Sequence, residues 1–165
     1  MLQFIKRPFR YSTKLQEAGR ICGLDLKLLQ QCVYLLSIAI KDDDVVTWLT
    51  DIGLGVEQLH LLEHMITDTQ DERRIWEVVC AHTVPRKLAL AFFLKTLLPI
   101  EALVLLGVEG AETIKNKWQE AYDWLSETVK EGLVGFTHNT MANRDKPFQK
   151  RIEDVAINFI SEASL

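Results

Sequence analysis

The sequence predicts an all-α fold of about eight or nine short helices. Apolar residues recur at spacings of three and four along most of the chain, and no stretch alternates apolar and polar residues as a strand would. Glycines and prolines separate these segments at the short intervals that are typical of helix–helix connections. We therefore expect either a single compact bundle or a short stack of helical hairpins.

The first helices can be assigned from their capping residues. Ser12 and Asp25 are suitable N-caps for the first two helices. The second helix is expected to end at Lys41, because three consecutive aspartates follow and favour the start of a third helix over residues 45–52. The fourth helix is expected over residues 56–66. The fifth is expected to follow a cap at Thr67 or Asp68, with Ile75, Trp76, Val79 and Cys80 facing inwards.

Residues 84–108 form the most apolar stretch and are predicted to lie at the centre of the fold. Pro99 is expected to end the central helix and to begin a second buried helix over residues 99–106. A membrane span is the alternative, because the stretch is long enough to cross a bilayer. Lys95 and Glu101 oppose that alternative, since a charge at mid-membrane costs about 2.5 to 3.5 kcal/mol. We therefore predict no transmembrane segment.

The last third of the chain is predicted to contain two helices. Residues 111–131 have the longest amphipathic pattern, and residues 133–146 are expected to be a polar loop. Pro147 is expected to open the final helix. Trp48, Trp76 and Trp118 occupy comparable positions in their segments, and this resembles the stacked hairpins of HEAT-like proteins. The spacings of 28 and 42 residues between them are unequal, so no repeat is assigned.

The chain is predicted to consist of an irregular basic arm, residues 1–11, in which Pro8 and scattered aromatic residues show no helical period, and a single helical domain, residues 12–165. Basic residues are concentrated near both ends of the chain. Residues 1–30 hold six basic and two acidic residues, and residues 138–151 carry a net charge of +3, although the whole chain has a net charge of −4. Such asymmetry bears on association rather than on fold. The partner-binding residues that we predict are all basic: Lys6, Arg7, Arg10, Lys14, Arg144, Lys146, Lys150 and Arg151. They favour a partner with an acidic surface, and self-association is the alternative.

Cysteine content and the first residues indicate a cytoplasmic setting. Three cysteines without C-x-x-C spacing do not predict a disulfide framework. They are interpreted as small apolar core residues in a reducing compartment. The first residues contain no secretory signal pattern. No cofactor is predicted.

His60 and His64 are the candidate metal ligands of the sequence. Together with Glu63 they complete an H-x-x-E-H pattern, which resembles that of inverted zinc proteases. The two histidines lie four residues apart and would share a helix face, as two ligands of one zinc must, and the glutamate could act as a base. The competing interpretation is an amphipathic helix whose polar residues face solvent and bind no metal.

His82 allows a second cofactor hypothesis. Ala81-His82-Thr83, followed by the W-x-x-A-Y pattern of residues 118–122, resembles the proximal histidine and last helix of bacterial globins. The resemblance implies that His82 would ligate haem iron. Pro85 lies where the globin helix should be finishing, and a further helix follows the globin's usual last one. The alternative is that His82 caps a helix C-terminus, where a cation is favoured.

The function that the sequence favours is a non-catalytic protein–protein interaction module, such as an adaptor, a chaperone-like protein or a scaffold component. The chain contains no phosphate loop, dinucleotide fingerprint or nucleophile elbow, so we do not predict an enzyme. A metal- or haem-binding protein is the first alternative. The second is a nucleic-acid accessory protein, in which the basic arm would contact phosphates and its aromatic residues would stack on bases.

Overall fold

The structure is a computed structural model that describes residues 9–67 and 69–162. Within these residues it contains eight helices and no strand, which confirms the all-α prediction. The helices are α1 (Thr13–Ile21), α2 (Leu26–Asp51), α3 (Gly55–Met65), α4 (Gln70–Val79), α5 (Thr83–Leu105), α6 (Ala111–Ala121), α7 (Glu127–Met141) and α8 (Phe148–Ser161). Ser12 and Asp25 are the predicted N-caps of α1 and α2, and each side chain accepts a backbone N–H from the first turn.

Helices α2 and α5 are the central pair of the bundle and run parallel. The turn before α2 meets the start of α5, where a methyl group placed on Gly23 would lie 3.8 Å from Val84 Cγ2. The other ends also meet, because a methyl group placed on Gly55 would lie 3.2 Å from Thr50 Oγ1 and 3.0 Å from Val108 Cγ2. The remaining helices pack around this pair: α3, α4, α6 and α7 contact α5, while α1, α3 and α8 contact α2.

Matching C-terminal motifs end α2 and α5. Gly53 and Gly107 adopt left-handed conformations with φ of 86° and 67°, which glycine reaches without a Cβ penalty. The next amide in each case bonds five residues back, from Leu54 to the Leu49 carbonyl and from Val108 to the Leu103 carbonyl. These bonds close Schellman motifs, so both helices stop abruptly at the same end of the molecule.

The prediction that α2 ends before the three aspartates is wrong. The helix continues through them to Asp51, with Asp43 fully buried and Asp44 half-buried. Arg144 binds the Asp43 carboxylate, and Arg151 Nη2 donates to Asp44 Oδ1 at 2.6 Å. Aspartate is a poor interior helix residue by itself, but these distant arginines stabilise the helical conformation by pairing with it.

The prediction that Pro99 ends the central helix is also wrong. Helix α5 runs through Pro99 to Leu105, and the proline ring is buried. The missing N–H removes one helical hydrogen bond, and packing on most sides holds the chain helical past it. The 23-residue helix is long and apolar enough to cross a membrane, but 72% of its most apolar window is buried by the other helices. Helices α1 and α2 are also long and apolar enough to cross a membrane, but only if the two are counted together as one bent span.

The prediction of one long helix over residues 111–131 followed by a loop is wrong. The chain turns at residues 122–126, Ser126 caps α7, and α7 occupies most of the predicted loop. An aromatic cluster accounts for the turn. Tyr122 stacks on Trp118 with ring centroids 4.6 Å apart, and Trp124 lies 5.7 Å from Phe93. Packing both the buried Tyr122 and the partly buried Trp124 against Phe93 of α5 requires the helix to break between them.

Trp48, Trp76 and Trp118 are not equivalent, contrary to the sequence-based interpretation. Trp118 is fully buried, Trp76 is half-buried and Trp48 is 52% exposed. On α4, Ile75 is exposed although an inward position was predicted, and the N-cap position is Thr69 rather than Thr67. The Thr69 hydroxyl donates to the Ala121 carbonyl at 2.7 Å instead of capping α4, which ties α4 to the end of α6. Asp68 lies outside the described residues.

Candidate interaction surface

Only part of the predicted basic arm lies within the described residues. Lys6 and Arg7 lie outside them, whereas Arg10 and Lys14 are exposed. Phe9 and Tyr11 form an edge-to-face pair with centroids 5.0 Å apart. They line a cavity of about 250 Å³ together with Val33, Tyr34, Ser37, Lys41, Phe148, Gln149 and Ile152. The arm therefore joins the fold beside the middle of α2 and the start of α8.

Arg144 and Arg151 form ion pairs with aspartates of α2. Arg151 is 3% exposed, and it donates to the Ile40 carbonyl as well as to Asp44. Arg144 Nε lies 3.1 Å from Asp43 Oδ2, and its Nη2 binds Oδ1. The two arginines that were predicted to bind a partner are therefore paired within the fold, where their charges hold the turn after α7 and the start of α8 onto α2.

Lys146 and Lys150 share one carboxylate. Their Nζ atoms each lie 2.9 Å from a different oxygen of Asp154, and this pairing holds the pKa of Asp154 below its usual value despite the opposing effect of burial. Lys14 and Lys146 line one cleft of about 530 Å³ between α7 and α8. Asp154 and Glu162 also line the cleft, so its lining residues include as many acidic as basic ones.

The histidines of the metal hypothesis lie on the surface of α3. His60 and His64 are exposed, and Glu63 is half-buried and paired with Lys117 from α6. Within residues 9–67 and 69–162, no three His, Cys, Asp or Glu side chains converge as a metal site requires. Glu63 therefore links α3 to α6 in this structure.

His82 occupies the N-cap position of α5 and also lies just after the end of α4, where its backbone N–H donates to the Val79 carbonyl at 2.9 Å. It is exposed, whereas Trp118 and Tyr122, which carry the rest of the globin-like pattern, are buried in the aromatic cluster. The structure thus separates the two halves of the pattern.

Buried polar groups occur where the sequence pointed to none. Glu101 is 1% exposed, and its carboxylate lies 3.0 Å from Lys115 Nζ and 3.1 Å from His138 Nε2. Lys87 is 5% exposed and donates to the Phe159 and Glu162 carbonyls at the end of α8. Desolvation by burial lowers the pKa of Lys87. These groups join helices that are far apart in the chain.

The three cysteines are free thiols. Cys32 is buried, as predicted for a small core residue, and burial raises its pKa to about 12. Cys22 and Cys80 are only partly buried and line a cavity of about 310 Å³ beside Lys87.

The largest group of exposed apolar side chains near one end of the molecule surrounds the contact between Thr50, Gly55 and Val108. We call it the end surface. It comprises the apolar residues Trp48, Ile52, Leu54, Val56, Leu105 and Leu106, between 36% and 60% exposed, and the exposed carboxylates Asp51, Glu57 and Glu109. Six large apolar residues near one end are more than the scattered exposed residues of an ordinary surface, and such a concentration is typical of an interaction site.

The end surface has only acidic charges because two stretches without lysine or arginine meet there. Residues 42–72 contain no basic side chain apart from histidine, and residues 96–114 contain none at all. The nearest lysines, Lys115 and Lys117 on α6, are paired with Glu101 and Glu63. Among the described residues, Asp51, Glu57 and Glu109 have no ion-pair partner, so the surface combines exposed apolar groups with uncompensated carboxylates.

Sequence reasoning missed the end surface because its signal is divided between two parts of the chain. The absence of lysine and arginine from residues 42–72 and from residues 96–114 is visible in the sequence. Only the parallel packing of α2 and α5 places the two stretches at one end.

Comparison with known proteins provides no relative. The chain matches no protein-family model, and no curated protein or solved structure is significantly similar to it.

Proposed function

We propose that the protein is a non-catalytic binding module whose end surface receives a basic, amphipathic helix of another protein. The observation that carries the proposal is the coincidence of six exposed apolar side chains with three unpaired carboxylates at the joined ends of α2 and α5. An amphipathic helix recognises such a surface by placing its apolar face on the apolar residues.

The charge of the end surface selects the class of partner. Asp51, Glu57 and Glu109 attract lysine and arginine on the flanks of a helix and speed its association. The same carboxylates repel nucleic acid and anionic lipid surfaces. The proposal therefore replaces the acidic partner expected from the sequence with a basic one, because Arg144 and Arg151 are used inside the fold.

The test uses a synthetic helical peptide with leucines at positions i, i+3, i+4 and i+7 and lysines elsewhere. Its affinity is measured by isothermal titration calorimetry, alongside a peptide of the same composition in scrambled order. We expect the amphipathic peptide to bind at least about tenfold more tightly than the scrambled one, because only a continuous apolar face matches the surface.

Two variants locate the binding site. Ile52→Asp and Leu105→Asp should each weaken binding at least about tenfold, although the added negative charge alone would attract the peptide. Ile21→Asp is the matched control, since Ile21 is 72% exposed and lies at the opposite end, next to the turn that contacts Val84. Equal weakening by Ile21→Asp, or equal binding of the scrambled peptide, would show that the interaction is non-specific and would refute the proposal.

A further inference from the structure

We propose that residues 1–8 of the same chain bind the end surface and compete with the partner helix. This inference rests on the proposed function, and it identifies how access to the surface is regulated. The segment is MLQFIKRP, in which Leu2, Phe4 and Ile5 are apolar and Lys6 and Arg7 are basic. It therefore has the same chemistry as the proposed partner helix.

Charge complementarity within the chain supports this choice of occupant. Residues 1–8 contain two basic side chains and no acidic one, whereas the end surface has three carboxylates without an ion-pair partner in the described part of the chain, Asp51, Glu57 and Glu109. The positive charge of residues 1–8 comes from Lys6 and Arg7, directly beside the apolar residues. A segment of this composition can cover apolar side chains and neutralise carboxylates together, as the end surface requires.

The point at which the arm joins the fold brings the end surface within reach. Phe9 lines a cavity with Val33, Tyr34 and Lys41, so the first described residue lies beside the middle of α2. From Lys41 to Ile52 the helix rises about 16 Å, at 1.5 Å per residue. Eight extended residues span at most about 26 to 29 Å. The segment can therefore extend along α2 to Trp48 and Ile52 of its own molecule, and no second copy is needed.

Occupation of the surface by residues 1–8 lowers the apparent affinity for any partner, because a partner binds only the fraction of molecules whose surface is free. It also covers apolar side chains that would otherwise face water. A partner with a longer apolar face displaces the segment, which makes the surface selective for strong binders.

The test compares the full chain with two charge-reversed variants. K6E/R7E removes the attraction in the segment, and R20E/K27E is the matched control, because it makes the same change in net charge at exposed positions near the opposite end. The direct readout is the indole N–H signal of Trp48 in a nitrogen-15 NMR spectrum, assigned with Trp48→Phe. We expect the signal to shift in K6E/R7E and to stay in place in R20E/K27E.

The second readout is the affinity for the amphipathic peptide. K6E/R7E should bind it at least about fivefold more tightly than R20E/K27E, because the competing segment is released. An unmoved Trp48 signal together with equal affinities would overturn the competition and leave the proposed function standing. If no variant binds the peptide, the proposed function fails, and the Trp48 signal alone still decides whether the segment binds. A Trp48 shift that depends on protein concentration and accompanies a dimer in sedimentation would overturn binding within one molecule.

Discussion

The guanidinium of Arg144 binds the carboxylate of Asp43 in two places, across 101 residues of sequence. Asp43 is fully buried in the middle of α2, and Arg144 lies in the turn after α7 with 27% of its side chain exposed. A buried carboxylate without a cation would be strongly unfavourable, so this pair links the register of α2 to the position of the turn.

Asp43→Ala is expected to lower the free energy of unfolding by about 3 to 5 kcal/mol, the usual effect of removing one partner of a buried pair. The buried Arg151, which lies 4.0 Å from Asp43, loses a neighbouring negative charge as well. Urea unfolding followed by circular dichroism measures the change. Lys150→Ala is the control, because its ion pairs are at the surface, and it should leave the midpoint unchanged. Equal midpoints for Asp43→Ala and the wild type would contradict the role assigned to the pair.

Thr96→Val should destabilise the fold by about 1 to 3 kcal/mol. The Thr96 hydroxyl accepts the indole N–H of Trp118 at 3.1 Å, and Trp118 is fully buried. Valine has nearly the same shape but leaves that N–H without its acceptor. Thermal unfolding of Thr96→Val is compared with Thr113→Val, at an exposed position on α6. A melting temperature equal to that of the control would show that the bond contributes nothing to stability.

Gly135→Ala should be more stable than Gly55→Ala. Gly135 lies inside α7 with open space around it, so alanine stabilises the helix there by about 0.5 to 1 kcal/mol. At Gly55 the new methyl would press on Val108 and Thr50. That overpacking should offset the gain and make the variant about 1 kcal/mol less stable than Gly135→Ala.

The double variant Gly55→Ala/Val108→Ala tests the contact that joins the ends of α2 and α5. If the two residues touch, the methyl on Gly55 is better tolerated when Val108 is shortened, and the two changes are not additive. Chemical denaturation of the four proteins gives the coupling free energy. If the effects of the two substitutions on the free energy of unfolding are strictly additive, Val108 and Gly55 are not in contact.

Stability should decline at alkaline pH. Burial raises the pKa of Tyr122 to about 12 and that of Cys32 to about 12. The folded chain therefore keeps these protons at pH values where the unfolded chain has lost them, and the free energy of unfolding falls as the pH rises from about 9 to 12. Tyr122→Phe should reduce the loss of unfolding free energy above pH 10 by roughly 2 to 3 kcal/mol. The control Tyr34→Phe, at a residue 65% exposed, should retain it. If both variants lose the same free energy of unfolding at alkaline pH, groups other than Tyr122 cause the loss.

Binding of the amphipathic peptide should weaken as salt is raised from 0.05 to 0.5 M, because the carboxylates of the end surface are exposed and their attraction is screened. The double variant Asp51→Asn/Glu57→Gln should show a smaller salt dependence. Asp123→Asn/Glu131→Gln removes the same charge from exposed positions outside the end surface and should behave like the wild type. A salt dependence that is equal in both variants would show that the general negative charge of the protein attracts the peptide.

Sequence reasoning succeeded where a local signal agreed with the tertiary environment. Ser12 and Asp25 are N-caps as predicted, and Pro147 precedes α8 as predicted. The same reasoning failed at Asp43, Pro99 and Tyr122, where the local preference is opposed by contacts formed far along the chain. Capping depends on the neighbouring three or four residues, which the sequence lists directly.

The sequence by itself determined the helical class, the caps of the first helices and the apolar character of residues 84–105, because each depends on spacing and residue type within one turn or two. Only the tertiary structure decided which charges are free. Arg144 and Arg151 form ion pairs with Asp43 and Asp44 and are not free. The fold also brings the two stretches that lack lysine and arginine to one end of the molecule. Both outcomes depend on the parallel packing of α2 and α5 and on contacts more than 50 residues apart, for which no local pattern exists.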